Sequence, residues 1–456
     1  MKFCQYLKPI SISLSPNTEK DDIWLAFKLL FQPWRWQKEL TEARPLLLEE
    51  EFKRYLGVHP VKSAEGGALL NNFAGGKIAA KQHLTGQFNR VKYAISFNSG
   101  RSGLMAILDS LNIQKGDEIL LQAFTCNSAV NPILERGAKP VFVDIDETIN
   151  MEPEDLKKKI TPRSKAVMIQ HTFGWPAQIE EILEIARQNN LFLIEDCAHS
   201  LGAKYKGGYC GTFGDAAFFS FGRDKIISSV FGGMVITNND KMGERLKKFQ
   251  EKLNYPPNFW IFQQLLHPIL INYLVLPAYG LNQYLGRILL GIFHKLSILS
   301  KAVYKKEKRG EIPKYFPKRL PNALAILALN QFKKLEKFNN YRKEIAEFYN
   351  DNLRDLSFVL PKSEENRVYM RYSILIENHD TDKILKEARR KRIFLDDGWR
   401  KAPIVPLDTK QEKMGYIFGS CPIAEKIAKN ILNLPTHINI SQKEAQKIVE
   451  FLKQWK

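Results

Sequence analysis

Cysteine is scarce in this chain of 456 residues and scattered where it occurs, at Cys4, Cys126, Cys197, Cys210 and Cys421. The number is odd, no pair has the spacing of a disulfide framework, and no group has the spacing of metal ligands. The sequence therefore predicts a reduced, cytoplasmic protein with no bound metal. The N-terminus lacks the continuous apolar core and small-residue cleavage site of a signal peptide. Internal repeats, low-complexity tracts, helix-turn-helix, zinc-finger and aromatic RNA-binding signatures are all missing. Nucleic acid is thus not expected as a partner, despite a net charge of +19. That charge suits an anionic membrane surface or a polyanionic substrate instead.

Charge is missing locally too: Leu253 to Gly286 contains no Asp, Glu, Lys or Arg. The run holds Phe259-Trp260-Ile261-Phe262 and Tyr273-Leu274-Val275-Leu276. Pro268 and Pro277 interrupt it, and Gln263, Gln264, Asn272 and Asn282 make it an indifferent membrane-spanning helix. Residues 287–319 reverse the balance, with ten Lys and Arg against Glu307 and Glu311 alone. Two readings of 253–319 stand side by side. One is a dimer-packing insertion with a basic rim. The other is a peripheral contact with the inner face of a membrane, apolar side chains in the interface and cations toward the headgroups.

What is present is a regular alternation of short apolar runs and helical patterns from Tyr93 to Asn238. The runs are 94–97, 118–123, 140–143, 166–170, 191–194, 216–219 and 233–237. Strands apolar on both faces and joined by helices predict an α/β fold with a mostly parallel sheet covered on both sides. A long helix over 322–350, a strand at 372–377 and helices at 381–390 and 442–455 predict a small α+β domain after it. Ser441 followed by Glu444 reads as the capping box of the last helix. The expected organisation is an N-terminal segment 1–60 packed on the core, a large domain 61–252, the insertion 253–319 and a small domain 320–456.

Ligands of such sheets bind beyond the carboxyl ends of the strands, where Asn98, His171, Asp196 and Ser220 all fall. Asp196 leaves one buried apolar run, and Lys225 follows a later one within Phe218-Phe219-Ser220-Phe221-Gly222-Arg223-Asp224-Lys225. This pairing is what pyridoxal phosphate chemistry requires. The lysine holds the cofactor as a Schiff base, and the acid keeps the pyridine nitrogen protonated so that the ring acts as an electron sink. Ser99-Gly100-Arg101-Ser102-Gly103 precedes a helical run, and the free amides of a helix start favour a phosphate. Each residue also has a plainer reading: Lys225 as a solvated lysine, Asp196 as a helix cap beside Glu195, Ser220 as a satisfied core hydroxyl.

These segments resemble the DegT/StrS family of sugar aminotransferases, with Gly116–Leu120, Gly137–Asp146 and Asn433-Leu434-Pro435-Thr436-His437 extending the likeness. The resemblance implies a fold type I pyridoxal phosphate transferase and a homodimer. It also implies transfer of an amino group, with glutamate as donor, to a keto group of a nucleotide-linked sugar in polysaccharide biosynthesis. It casts Lys225 as nucleophile and general base, Asp196 as pyridinium partner, His199 as a ring neighbour, and Ser99, Gly100, Ser102 and Ser220 as phosphate contacts. Three departures follow. Arg101 replaces the usual Thr and is expected to reach the phosphate. Pro317 stands where a neighbouring subunit usually offers an Asn to that phosphate. Cys126 occupies the place of the ring-stacking aromatic, so that either Phe124 or His171 takes over or the ring is held less tightly. A branch of the family has His in place of the lysine, and Lys225 argues against that branch here. Asp396-Asp397-Gly398-Trp399 replaces the usual substrate motif, which keeps two alternatives open: a pyridoxal phosphate enzyme with a non-sugar substrate, and a noncatalytic membrane-associated regulatory or scaffold protein.

Overall fold

The computed structural model describes residues 8–37, 44–57, 91–362 and 366–455. The expected boundary between the N-terminal segment and the large domain lies outside the described residues. Near the N-terminus, helix α1 (Lys20–Leu30) opens on a capping box between Glu19 and Asp22.

The seven apolar runs form one sheet: β1 (Tyr93–Phe97), β2 (Glu118–Gln122), β3 (Lys139–Val143), β4 (Ser164–Gln170), β5 (Phe192–Asp196), β6 (Ala216–Ser220) and β7 (Gly233–Thr237). Their spatial order is β1-β7-β6-β5-β4-β2-β3. β7 runs antiparallel to both neighbours, and every other pairing is parallel. Runs of apolar residues with no polar alternation can only be buried on both faces, and β2 and β7 are buried at every position. All strands except β7 therefore point the same way and deliver their last residues to one edge. Helix α2 (Gly100–Ser110) follows β1 directly and packs against β6 and β7.

The uncharged run forms α3 (Asn258–Leu270), a π-helical turn at Ile271–Val275 and α4 (Leu276–Leu281). By length and composition this continuous stretch could cross a membrane, but 61% of its apolar window is buried inside the fold. Trp260, Ile261 and Leu265 join the main core. Helix α5 (Gln283–Lys295), capped by Asn282, folds back along α4. The approach depends on Gly286, where an added Cβ would sit 2.4 Å from the Tyr279 ring.

The expected single helix over 322–350 is two helices, α6 (Asn322–Phe332) and α7 (Leu335–Leu353). Lys334, at the break, is held by Glu19, Asp21 and Asp22 at the start of α1. α6 is buried on nearly all sides in the large core, whereas α7 turns its later residues to a second core. That second core surrounds β8 (Tyr372–Leu375) and β9 (Ile431–Leu434), which pair antiparallel. α8 (Thr381–Arg390) and α9 (Gln442–Leu452) pack on it, the latter with the Ser441–Glu444 capping box.

Candidate active site

A cavity of about 500 Å³ opens at the carboxyl edge of the sheet, within the range of small-molecule sites. Its wall includes Ser99, Gly100, Arg101, Cys126, Asp196, His199, Ser220 and Lys225. Eight of the sequence-predicted residues thus converge on one space. His171 and Ser102 do not line it. His171 is fully buried, its Nδ1 accepting from Ala177 N at 3.1 Å and its Nε2 lying 3.0 Å from Glu195 Oε2. Both ring nitrogens are engaged in the core and the ring does not reach the cavity wall, unlike the expected place beside the cofactor. Ser102 donates back to Asn98 Oδ1 at 2.7 Å. Phe124 is buried against Phe173 and Trp399 and likewise stays out of the cavity. Trp399, from the segment that departs from the expected substrate motif, lies on the wall together with Phe218 and Phe231.

The two adjacent acids at the end of β5 separate by strand alternation. Glu195 faces the core and accepts from the backbone of Gly211, Phe213 and Gly214, each at 2.7 Å, so it clamps a loop. Asp196 faces the cavity; its Oδ1 accepts from Ala198 N at 2.9 Å, capping a turn and not a helix. Its other oxygen takes no hydrogen bond among the described residues. Burial raises its pKa to about 6, against the opposing pull of the Ala198 amide and Lys225. Lys225 sits in a turn closed by its own N–H to Gly222 O at 3.2 Å. Its amine makes no ion pair among the described residues. Asn17, held by Arg342, donates to its carbonyl and fixes the turn.

Ser99 caps α2 by accepting from Ser102 N at 3.2 Å. An added Cβ at Gly100 would lie 3.1 Å from Ser220 Cβ, so the helix start and Ser220 share one small space. His199 stacks on Phe173 (centroids 5.4 Å apart, 6° between planes) and meets Trp399 edge-on at 4.8 Å. Burial, then Lys225 and Arg371, push its pKa well below the usual imidazole range, which leaves a neutral ring. Arg101 lines the cavity, but its guanidinium pairs with buried Glu307 of the insertion and donates to Ala302 O at 3.2 Å. The expected free cation there is already matched.

Sequence reasoning missed three contributors. Arg223 lies on the wall between Ser220 and Lys225, and that position was its signal. Ser13, Leu14 and Ser15 bring the N-terminal segment to the cavity, and Leu290, His294, Lys301 and Lys308 bring the insertion. Asp397 and Trp399 arrive from the small domain. Arg371 holds Asp397 at 3.3 Å and lies 3.7 Å from Asp224, while Asn433 donates to Asp397 at 3.0 Å. An enclosed lysine, a buried acid with an open oxygen and a helix start carrying hydroxyls form a donor set that fits pyridoxal phosphate.

The sequence profile of the DegT/DnrJ/EryC1/StrS aminotransferase family matches residues 63–254 and 294–453. The apolar helices between those blocks fall outside the match. The GDP-perosamine synthase of Escherichia coli O157:H7 is 30% identical over 378 residues, 80% of this chain and 86% of that protein. The spore coat polysaccharide biosynthesis protein SpsC of Bacillus subtilis is 25% identical over 418 residues, 90% and 95% of the two chains. Among solved structures, Helicobacter pylori PseC, an aminotransferase involved in the biosynthesis of pseudoaminic acid, superimposes with a TM-score of 0.69. It is 21% identical and covers 98% of this chain and 99% of that one, a likeness of fold. The chain accordingly belongs to the DegT/DnrJ/EryC1/StrS aminotransferase family and is a pyridoxal phosphate-dependent aminotransferase.

Proposed function

We propose that this aminotransferase moves an amino group from an amino acid, glutamate, to a keto group of a nucleotide-linked sugar. The observation that carries the site assignment is Lys225 and Asp196 on the wall of one cavity that also contains the start of α2. The substrate class is supported by the relatives, among them GDP-perosamine synthases from three organisms. The positive charge of the chain suits a diphosphate-linked substrate.

Pyridoxal phosphate, when bound, supplies the electron sink for the carbon that carries the amine. The backbone amides at Gly100 and Arg101, with the Ser99 and Ser220 hydroxyls, would hold its phosphate. The open oxygen of Asp196 would keep its ring nitrogen protonated. Lys225 Nζ would hold the cofactor between turnovers, then take and return the proton at the amine-bearing carbon. His199 is too strongly disfavoured as a cation to act as an acid near neutral pH. It positions by stacking, with Trp399 across its edge. Cys126, small and on the wall, leaves the ring face open where a larger residue would cover it.

A homodimer is the expected assembly. A second reading concerns α5, which buries only Gly286 and exposes Tyr284, Leu285, Ile288 and Ile292. Its only Lys or Arg side chains are Arg287 and Lys295, and it has no acid, so this face suits the anionic inner surface of a membrane. Localisation would then be cytoplasmic and peripheral.

The direct test is amine transfer from glutamate to a panel of nucleotide-linked keto-sugars, read by mass spectrometry. An aminated sugar nucleotide is the expected product. Amination of simple keto acids alone would move the substrate out of the sugar class.

A further inference from the structure

Arg223 makes no ion pair among the described residues. Its guanidinium donates from Nη2 to Ser300 Oγ at 2.5 Å and lies 5.4 Å from the Phe231 ring centroid, while its buried Nε has no partner. Arginine carries five N–H donors, so most of this fork is unmet. The nearby carboxylates are engaged elsewhere. Glu307 is taken by Arg101 and by Tyr304 N at 2.8 Å. Asp224 faces Arg371, and no carboxylate lies within ion-pair distance of Arg223 among the described residues. The other titratable groups around it are His267, His294 and Tyr304, and Lys301 lies beyond them on the wall. Both imidazoles are pushed down by burial and then by Arg223, His294 to about 4. Asp224 offsets part of this charge but is shared with Arg371 and Lys225, so the field at this end of the cavity stays positive.

The same cavity contains Ser99, Gly100 and Ser220, and Arg223 is close enough to Arg101 for that cation, after burial, to help lower its pKa. An enclosed arginine with open donors, beside a helix start and two hydroxyls, lacks one thing: a multiply charged anion.

We propose that Arg223 is a ligand of the cofactor phosphate, presented by the chain's own nucleophile-bearing turn and braced from the insertion by Ser300. The brace continues, since Ser300 Oγ donates to Gln264 Oε1 at 2.8 Å and Gln264 Nε2 donates to Trp260 O at 2.7 Å. α3 is thereby tied to the position of the guanidinium. This inference rests on the site assignment above and adds a residue to it.

The test compares pyridoxal phosphate with phosphate-free pyridoxal, titrated by absorbance into the full chain stripped of cofactor. In Arg223→Gln the affinity for pyridoxal phosphate should fall on the order of 10- to 100-fold, the loss of one charge-assisted contact. Affinity for pyridoxal should change less than about threefold. Arg223→Lys should recover part of the loss, and Ser300→Ala should weaken pyridoxal phosphate selectively but less. Inorganic phosphate should slow rebinding of the cofactor to the wild type more than to Arg223→Gln. Equal weakening of both cofactors, or an unchanged ratio, overturns the proposal and makes Arg223 a packing residue. An unchanged ratio with a raised KM for substrate also overturns it, since the guanidinium would then be taking a substrate anion. A wild-type protein that binds neither cofactor sinks the underlying site assignment instead.

Discussion

The central sheet and the uncharged half of the insertion both consist of apolar runs, yet they use them differently. β2 and β7 bury every residue, because helices cover both faces of a parallel sheet. In the insertion α3 puts Trp260, Ile261 and Leu265 into the main core, while α5 buries a single glycine. Most of the exposed large hydrophobics among the described residues fall on α1, its following turn and the insertion. The sheet uses apolar residues to fix strands whose ends carry chemistry. The insertion uses one face to attach itself and leaves another for a surface.

Breaking the sheet side of this comparison should have the largest effect. Lys225→Ala is expected to lower turnover by at least about a thousandfold, since it removes both the cofactor anchor and the proton carrier. Single-turnover assays and the visible absorption of the bound cofactor would report it. Retained turnover would place the nucleophile elsewhere.

The joint between the two regions comes next. Glu307→Ala leaves the half-buried Arg101 without its partner and frees the Tyr304 amide, which should cost about 2 kcal/mol of stability. Denaturant unfolding would measure it. A loss confined to a few tenths of a kcal/mol would mean that the insertion is held by α3 alone.

Asp196 sharpens the comparison through pH. Its folded pKa, about 6, lies above its ordinary 3.8, so ionisation is disfavoured in the cofactor-free protein. The penalty grows as pH rises from about 4 to about 6 and is complete above that. Cofactor-free Asp196→Asn should therefore be more stable than wild type at pH 7.5, by up to about 3 kcal/mol, and nearly equal to it below pH 4. The same variant should lose most transamination, because a neutral ring nitrogen is a poor electron sink. Melting curves at the two pH values check the first half. A stability gap independent of pH would mean that Asp196 ionises as freely as a surface acid.

The smallest expected effect belongs to the exposed face. Vesicles with anionic lipid should sediment the protein and neutral ones should not, with Arg287 and Lys295 contributing roughly 1 kcal/mol each. Changing Ile288 and Ile292 to Ser should release it without altering amine transfer to a soluble substrate. If the protein ignores vesicles of every composition and the double variant becomes monomeric, the face is a subunit contact.

Much of the site was readable because it is local. Lys225, Ser220 and the Ser99-Gly100 turn each follow directly from a strand, and a strand's direction delivers them to the same edge. Arg101 and His171 were not readable in that way. Glu307 lies 206 residues from Arg101, and only folding shows that it claims the guanidinium. His171 stands at a strand end as expected, but Glu195 and the Ala177 amide turn it into the core. The helix over 322–350 broke for a similar reason. Its propensity continues through Lys333 and Lys334, while the acids at the start of α1 hold the break.

By itself the sequence determined the seven strands, their mostly parallel arrangement, the family and the lysine–acid pair, since period, apolarity and motif spacing are properties of neighbouring residues. The tertiary structure alone decided which acid of Glu195 and Asp196 faces the cavity, which arginine keeps an open fork, and that the insertion forms a wall of the site. Those outcomes depend on burial and on partners hundreds of residues away, and no local pattern encodes where a distant carboxylate will come to rest.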